Sequence, residues 1–132
     1  MEDINNADIN AVVKRLKRLK NYSSLPFADK FPFILKLMLD NCYKDKIQKI
    51  YLFGSYAYGK PDKESDLDFC IITDNGIYRR DVSFQIRDKF MDARIVPSDL
   101  LVYNADAFYG YTNPQGIEST ILERGKLIYE RR

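Results

Sequence analysis

Two strand-like runs, IQKIYLF and LDFCIIT, are separated by a Gly-Ser corner and a polar loop, and the second is entered through Asp66-Leu67-Asp68. β-Branched and aromatic residues dominate both runs, and Gly54 stops the first. Alternating negative charges are a costly way to begin a strand, since each must stay hydrated or find a partner. In an extended chain residues two apart share a face, so Asp66 and Asp68 project together while Leu67, Phe69 and Ile71 point the other way. Their Cα atoms then lie about 6.6–6.8 Å apart, close enough for both carboxylates to converge on one cation. Hard oxygen donors, with water and phosphate completing the shell, suit Mg2+.

The corner supplies what a phosphate needs. Gly54 lets the backbone approach closely, the N–H groups of Ser55 and Tyr56 can donate at the start of a turn or helix, and the Ser55 hydroxyl adds another donor. Phosphoryl and nucleotidyl transfer depend chiefly on positioning and charge neutralisation. A third carboxylate is expected on a neighbouring strand, to complete a second metal site and help deprotonate an attacking hydroxyl. Asp92, on the polar face of FMDARIV, is the first choice. Asp99 is the competitor, although an acid in the first turn of a helix is already accounted for by the helix dipole. Residues 54–60 also fit GxxxxGK, the opening of a P-loop, but Pro61 lacks the hydroxyl that motif places on Mg2+ and a strand follows where a helix is required.

Composition narrows the chemistry further. The 132 residues include no histidine, which excludes Ser-His-Asp triads, His-based general bases and the HExxH zinc site, and leaves carboxylates to do the work. Cys42 and Cys70 are too few for a disulfide framework or a four-cysteine metal site, and both are expected to be buried, reduced thiols. A net charge of +2 creates no global field toward nucleic acid or membrane, and direct nucleic-acid binding is not expected. The polar N-terminus MEDINNADIN does not resemble a secretory signal, and FPFILKLML is short and interrupted by Lys36, so a cytoplasmic protein is expected.

Along the chain, Ile9, Val12, Leu16 and Leu19 predict a helix over about 4–20 with a basic opposite face, Lys14, Arg15, Lys17, Arg18 and Lys20. That face is read as a solvated surface, with an acidic partner or RNA as the alternative. Phe31 to Cys42 predicts a second helix, with Pro32 in its first turn. Asp74-Asn75-Gly76 marks a turn, and Val82, Ile86 and Phe90 predict a helix from Tyr78 to about Lys89. FMDARIV then alternates as a third strand, with helix continuation through Ala93 as the competing reading. Ser98 caps a short helix DLLVYNADAF, Pro114 opens a helix that reaches Arg124 with Gly125 as its C-cap, and KLIY forms the last strand.

The segment GSYAYGKPDKESDLD, with KIYLFGSYA before it and ILERGKLIYER at the end, resembles the minimal nucleotidyltransferases (MNT) of the DNA polymerase beta superfamily, especially the MNT antitoxins paired with HEPN toxins. The resemblance runs from about Lys49 to the C-terminus. It implies an α+β fold, a mixed sheet of about four strands flanked by helices, within a single domain 1–132 made of an N-terminal helical extension (1–46) and a nucleotidyltransferase core (47–132). It also implies Mg2+ held by Asp66 and Asp68 with Asp92 as third acid, ATP phosphates near Gly54 and Ser55, and transfer of AMP to a tyrosine of a HEPN toxin. Where similar proteins carry Arg in SYARG this chain has Tyr58, so Lys60 or Lys63 would have to take over a phosphate contact. Two other activities remain open: an antitoxin acting by binding alone, and an adenylyltransferase of a small hydroxylated molecule such as an aminoglycoside.

Overall fold

Ile47–Phe53 (β1) and Leu67–Thr73 (β2) pair antiparallel at the centre of a four-stranded sheet of order β3-β2-β1-β4, with Ser98–Asn104 as β3 and Lys126–Glu130 as β4. The computed structural model describes residues 31–58, 67–93, 98–110 and 116–131. The expected helix at 4–20 with its basic face, Lys60, Lys63, Pro114 and Asp66 lie outside the described residues. β1 pairs antiparallel with β4, and β2 pairs parallel with β3, which makes the sheet mixed. A parallel pair needs a long crossover, and helix α3 (Arg79–Asp92) provides it.

Both central strands are covered on both sides, which is why they read as nearly continuous apolar runs. On one face Ile50, Leu52, Phe69, Ile71, Leu100 and Val102 meet α1 (Phe31–Leu39) and α3. Helix α1 contributes Ile34, Leu35, Met38 and Leu39, all buried, so the helix is integral to the main core. Helix α3 contributes Val82, Ile86 and Phe90, the stripe that the sequence spacing predicts. Lys89 reaches Asp40 at 3.4 Å and ties the two helices together. On the other face Tyr51, Phe53, Cys70 and Ile72 pack against Phe108 of α4 (Ala105–Tyr109) and Ile121 of α5 (Ile117–Arg124). Burial pushes the Cys70 thiol up to about 12, with Glu118 adding to the effect, so it stays protonated in the core. Cys42, expected inside, is exposed: α1 ends at Leu39, and the thiol lies in the following turn, 3.2 Å from Gln85 Nε2.

Two elements differ from the sequence reading, and they differ together. Helix α3 continues through Asp92, with Ala93 as its C-cap, so Phe90, Met91 and Asp92 are helical where a strand was expected; Arg94, Ile95 and Val96 lie outside the described residues. The apolar period of four that starts at Val82 carries on to Phe90, and Met91, which alternation would have buried, is 74% exposed. SDLLVYN, expected to be helical, is β3: Leu100 and Val102 face one core while Leu101 and Tyr103 face the other. Pairing seven residues in register with β2 outweighs the capping tendency of Ser98 and Asp99. The turn at 74–76 forms as expected, with Gly76 at φ +84°. Gly125 is the C-cap of α5, and β4 follows at once.

At one end of the sheet a polar clasp holds the chain terminus. Arg131 donates from Nη1 to Asp74 Oδ2 at 2.9 Å, from Nη2 to Asp74 Oδ1 at 3.0 Å and from Nη1 to the Asp45 carbonyl at 2.8 Å. Gln48 Nε2 donates to the same Asp74 carboxylate at 2.8 Å. The Arg131 guanidinium, followed by Gln48, lowers the Asp74 carboxyl from its ordinary 3.8 to about 2. A carboxyl depressed in the folded state stabilises fully above its unfolded value and loses that contribution as pH falls toward its folded one. The clasp therefore acts above about pH 4 and fades toward pH 2. The urea midpoint of Arg131→Ala is expected to lie below that of the wild type at pH 6, with the gap closing between pH 4 and pH 2; a gap independent of pH would show that the ion pair is not its source.

Candidate active site

The opposite end of the sheet carries the carboxylates. Asp68 is the second residue of β2, paired on one side with Phe53, the last residue of β1, and on the other with Asp99, the second residue of β3. Residues in register on adjacent strands share a face, and neighbouring strands lie about 4.8 Å apart. Asp68 falls in alternation with Cys70 and Ile72, and Asp99 with Leu101 and Tyr103, so both acids project toward the α4 and α5 side of the sheet, beyond the end of that core. Asp68 is half-buried and Asp99 is exposed.

Gly54 closes the site from the β1 side. Its φ of +72° is a left-handed conformation that side chains rarely adopt, and the turn it makes leads directly into the single helical turn Ser55–Tyr58 (α2). The Ala57 N–H donates to the Gly54 carbonyl at 3.0 Å. A Cβ built on Gly54 would collide with Asp68 Oδ2 and stand 3.0 Å from its Cγ. The Asp68 carboxylate thus lies directly over the glycine, and backbone corner and acid are fitted to each other. Ser55 follows, half-buried, at the head of α2, with Tyr56 next to it in the chain.

The sequence-predicted residues divide as follows. Gly54, Ser55, Tyr56 and Asp68 come together at the β1–β2 end of the sheet, while Lys60 and Asp66 lie outside the described residues. Asp92 is not on a neighbouring strand: it is exposed on the last turn of α3, in the layer that packs on the sheet face opposite to the one Asp68 and Asp99 share. Asp99, set aside as a helix-capping acid, is the carboxylate in register with Asp68. The signal that finds it is the crossover itself, because a parallel neighbour of β2 must follow the α3 helix and LLVYN is the next β-prone run. Among the described residues there is no group of three or more potential metal ligands.

The chain matches a known family. Residues 38–132 match the family described as Polymerase beta, Nucleotidyltransferase, and the chain belongs to it: the protein is a nucleotidyltransferase. Over 91 residues it is 31% identical to a protein of Methanocaldococcus jannaschii provisionally named a protein adenylyltransferase, a match spanning 69% of this chain and 87% of that one. The fold is similar to a toxin-antitoxin structure with AMP-PNP, at 24% identity and a TM-score of 0.53 over 75% of this chain and 72% of the other. It is similar also to the toxin-antitoxin MntA-HpeT in a mutant form, at 21% identity and 0.51 over 76% and 72%. A third similar structure, from Sulfolobus solfataricus and provisionally assigned as a nucleotidyltransferase, gives 14% identity and 0.50 over 92% and 88%. Among the described residues no helix is long and apolar enough to cross a membrane.

The contact between Gly54 and Asp68 can be measured as a coupling. Gly54→Ala is expected to cost about 2–3 kcal/mol in urea unfolding, but only about 1–2 kcal/mol in an Asp68→Ala background, where the left-handed strain of the Cβ alone remains. Equal costs in both backgrounds would show that the carboxylate does not press on the glycine.

Proposed function

We propose that this nucleotidyltransferase moves AMP from ATP to a hydroxyl group, and that the acceptor is a tyrosine of a HEPN-type toxin partner. The observation that carries the reading is the in-register pair Asp68–Asp99 beside the Gly54-Ser55 corner. The provisional protein adenylyltransferase name of the archaeal relative and the AMP-PNP of the similar toxin-antitoxin structure support ATP as donor and a protein as acceptor.

The donor set fits a hard divalent cation, since side-by-side carboxylates offer oxygen only and repel one another without one. Asp66, Asp68 and Asp99 would hold Mg2+, which neutralises phosphate charge and polarises the phosphorus when bound. The chain's own part is positional. The Gly54 turn lets the phosphate tail approach the backbone, and the N–H groups of Ser55 and Tyr56, with the Ser55 hydroxyl, are the donors assigned to it; Lys60 is the cation assigned to the outer phosphates. The acceptor oxygen forms a bond to the α-phosphorus, the bond from that phosphorus to the bridging oxygen breaks, and pyrophosphate departs with that oxygen. The hydroxyl proton passes to Asp99, the more exposed of the two described acids. Asp99, rather than Asp92, takes the third position because the ladder with β2 fixes it beside Asp68.

With ATP radiolabelled at the α-phosphate, Mg2+ and a co-expressed HEPN-family partner, the wild type is expected to label the partner. Asp68→Asn and Asp99→Asn should each reduce labelling at least about 100-fold, while Asp92→Asn stays within about twofold. Full activity of Asp99→Asn, or loss of activity in Asp92→Asn, would overturn the assignment.

A further inference from the structure

The two edges of the sheet are built differently. β4, at one edge, is five residues long, begins with Lys126 and ends with Glu130, and carries a register shift where it pairs with Ile50 and Tyr51 of β1. Its Glu130 meets Lys49 at 3.6 Å. Short length, charge and irregular pairing are the usual protections against a strand adding on. β3, at the other edge, has none of these over Leu100–Tyr103: the stretch is uncharged, contains no proline and pairs with β2 without a register shift. Among the described residues no strand pairs with its outer side. Alternate N–H and C=O groups of an edge strand point away from the sheet, so β3 offers a template about 13 Å long from Asp99 to Tyr103. The template is held firmly, with Tyr103 Oη donating to Glu118 Oε1 at 2.9 Å and Thr73 Oγ1 donating to Asn104 Oδ1 at 3.0 Å.

A groove of about 260 Å³ runs along this edge, lined by Leu100, Leu101, Val102 and Tyr103 on one side and by Arg79, Arg80 and Ser83 of α3 on the other. Both arginines are exposed, and among the described residues neither makes an ion pair. The same strand begins with Asp99, in register with Asp68. Open edge, paired cations and carboxylate therefore lie within one strand length.

We propose that the acceptor enters as an extended, acidic polypeptide segment that adds to the outer edge of β3, with its hydroxyl-bearing residue opposite Asp99. This inference rests on the AMP-transfer reading above and specifies the acceptor for that site. A residue opposite Asp99 projects to the carboxylate face, whereas residues opposite Leu100 and Val102 project to the α3 side, where Arg79 and Arg80 line the groove. The hydroxyl residue and its acidic neighbour must therefore be separated by an odd number of positions, because alternate side chains take opposite faces. Planar guanidinium groups pair bidentately with carboxylates, which selects an acidic segment over a basic one. A second copy of the chain fits less well, since pairing β3 with β3 would gather four arginines at one seam.

The test uses a fluorescent peptide, Thr-Val-Tyr-Val-Thr-Glu-Thr, with its Glu three positions from its Tyr, and a version with Lys in place of Glu. Anisotropy is expected to show about tenfold tighter binding of the Glu peptide, and Arg79→Glu/Arg80→Glu should reverse the preference while Arg79→Lys/Arg80→Lys retains it. Labelling from ATP should follow the same order, and N-methylation of alternate backbone nitrogens on the β3-facing side should abolish it. Equal labelling of both peptides and of N-acetyl-tyrosinamide would overturn the docking inference while leaving AMP transfer standing. Labelling of none of them, with ATP unbound, would remove both. A concentration-dependent dimer in sedimentation that the peptide cannot dissociate would assign the edge to a second copy and overturn the proposal.

Discussion

The contact on which the site depends is the one between the Asp68 carboxylate and the Cα of Gly54. A carboxylate can lie over a main chain only where no Cβ intervenes, and the left-handed turn at Gly54 is the conformation that also excludes a side chain. One residue type thus satisfies two demands, closeness and turn geometry. Because β1 ends at that turn, the position of Asp68 fixes where the chain leaves the sheet and where α2 begins. The β1–β2 pairing seats Asp68 over Gly54 and the β2–β3 pairing seats Asp99 beside Asp68, so corner and acids share one sheet.

The sheet divides its labour between its ends. At the end of β2 that bears Asp74, the charges are consumed: Arg131 and Gln48 both donate to the Asp74 carboxylate, and Arg131 donates also to the Asp45 carbonyl, which fastens the segment after β4. At the end that bears Asp68, two acids stand abreast in register, Asp68 half-buried and Asp99 exposed. Between them lies a core buried on both faces, with Phe69 and Phe108 on opposite sides, each fully enclosed. A sheet packed on both sides is close-packed and deforms little, and this suits a site whose chemistry depends on position more than on bond-making groups.

Much of this was written locally in the chain. β1 and β2 were readable because both are buried on two faces and carry nearly continuous apolar runs, and the helix after the turn because Val82, Ile86 and Phe90 repeat at its period. Gly54 and Asp68 were readable because glycine punctuates the end of a strand and alternate acids are a costly way to begin one. β3 was not, since Ser98 and Asp99 are as good at capping a helix as at opening a strand, and the deciding interaction is a pairing with residues about 30 positions earlier. Asp92 was misplaced for the complementary reason. Met91, Ala93 and Ile95 alternate over a window too short to distinguish from the end of an amphipathic helix.

The settings of Asp92 and Asp99 differ physically in more than register. An acid at the end of α3 sits where the backbone carbonyls of the last turn make the surroundings negative, and a helix end frays more readily than a ladder. An acid at the second position of β3 is held through main-chain pairing on the side where Asp68 already lies, so the spacing of the two backbones and their shared face are set by the sheet. Among the described residues no strand pairs with the outer side of β3, so the strand that fixes Asp99 is an edge of the sheet. An acid fixed to an edge strand is positioned by main-chain pairing and needs no movement of the ladder to keep its place beside Asp68.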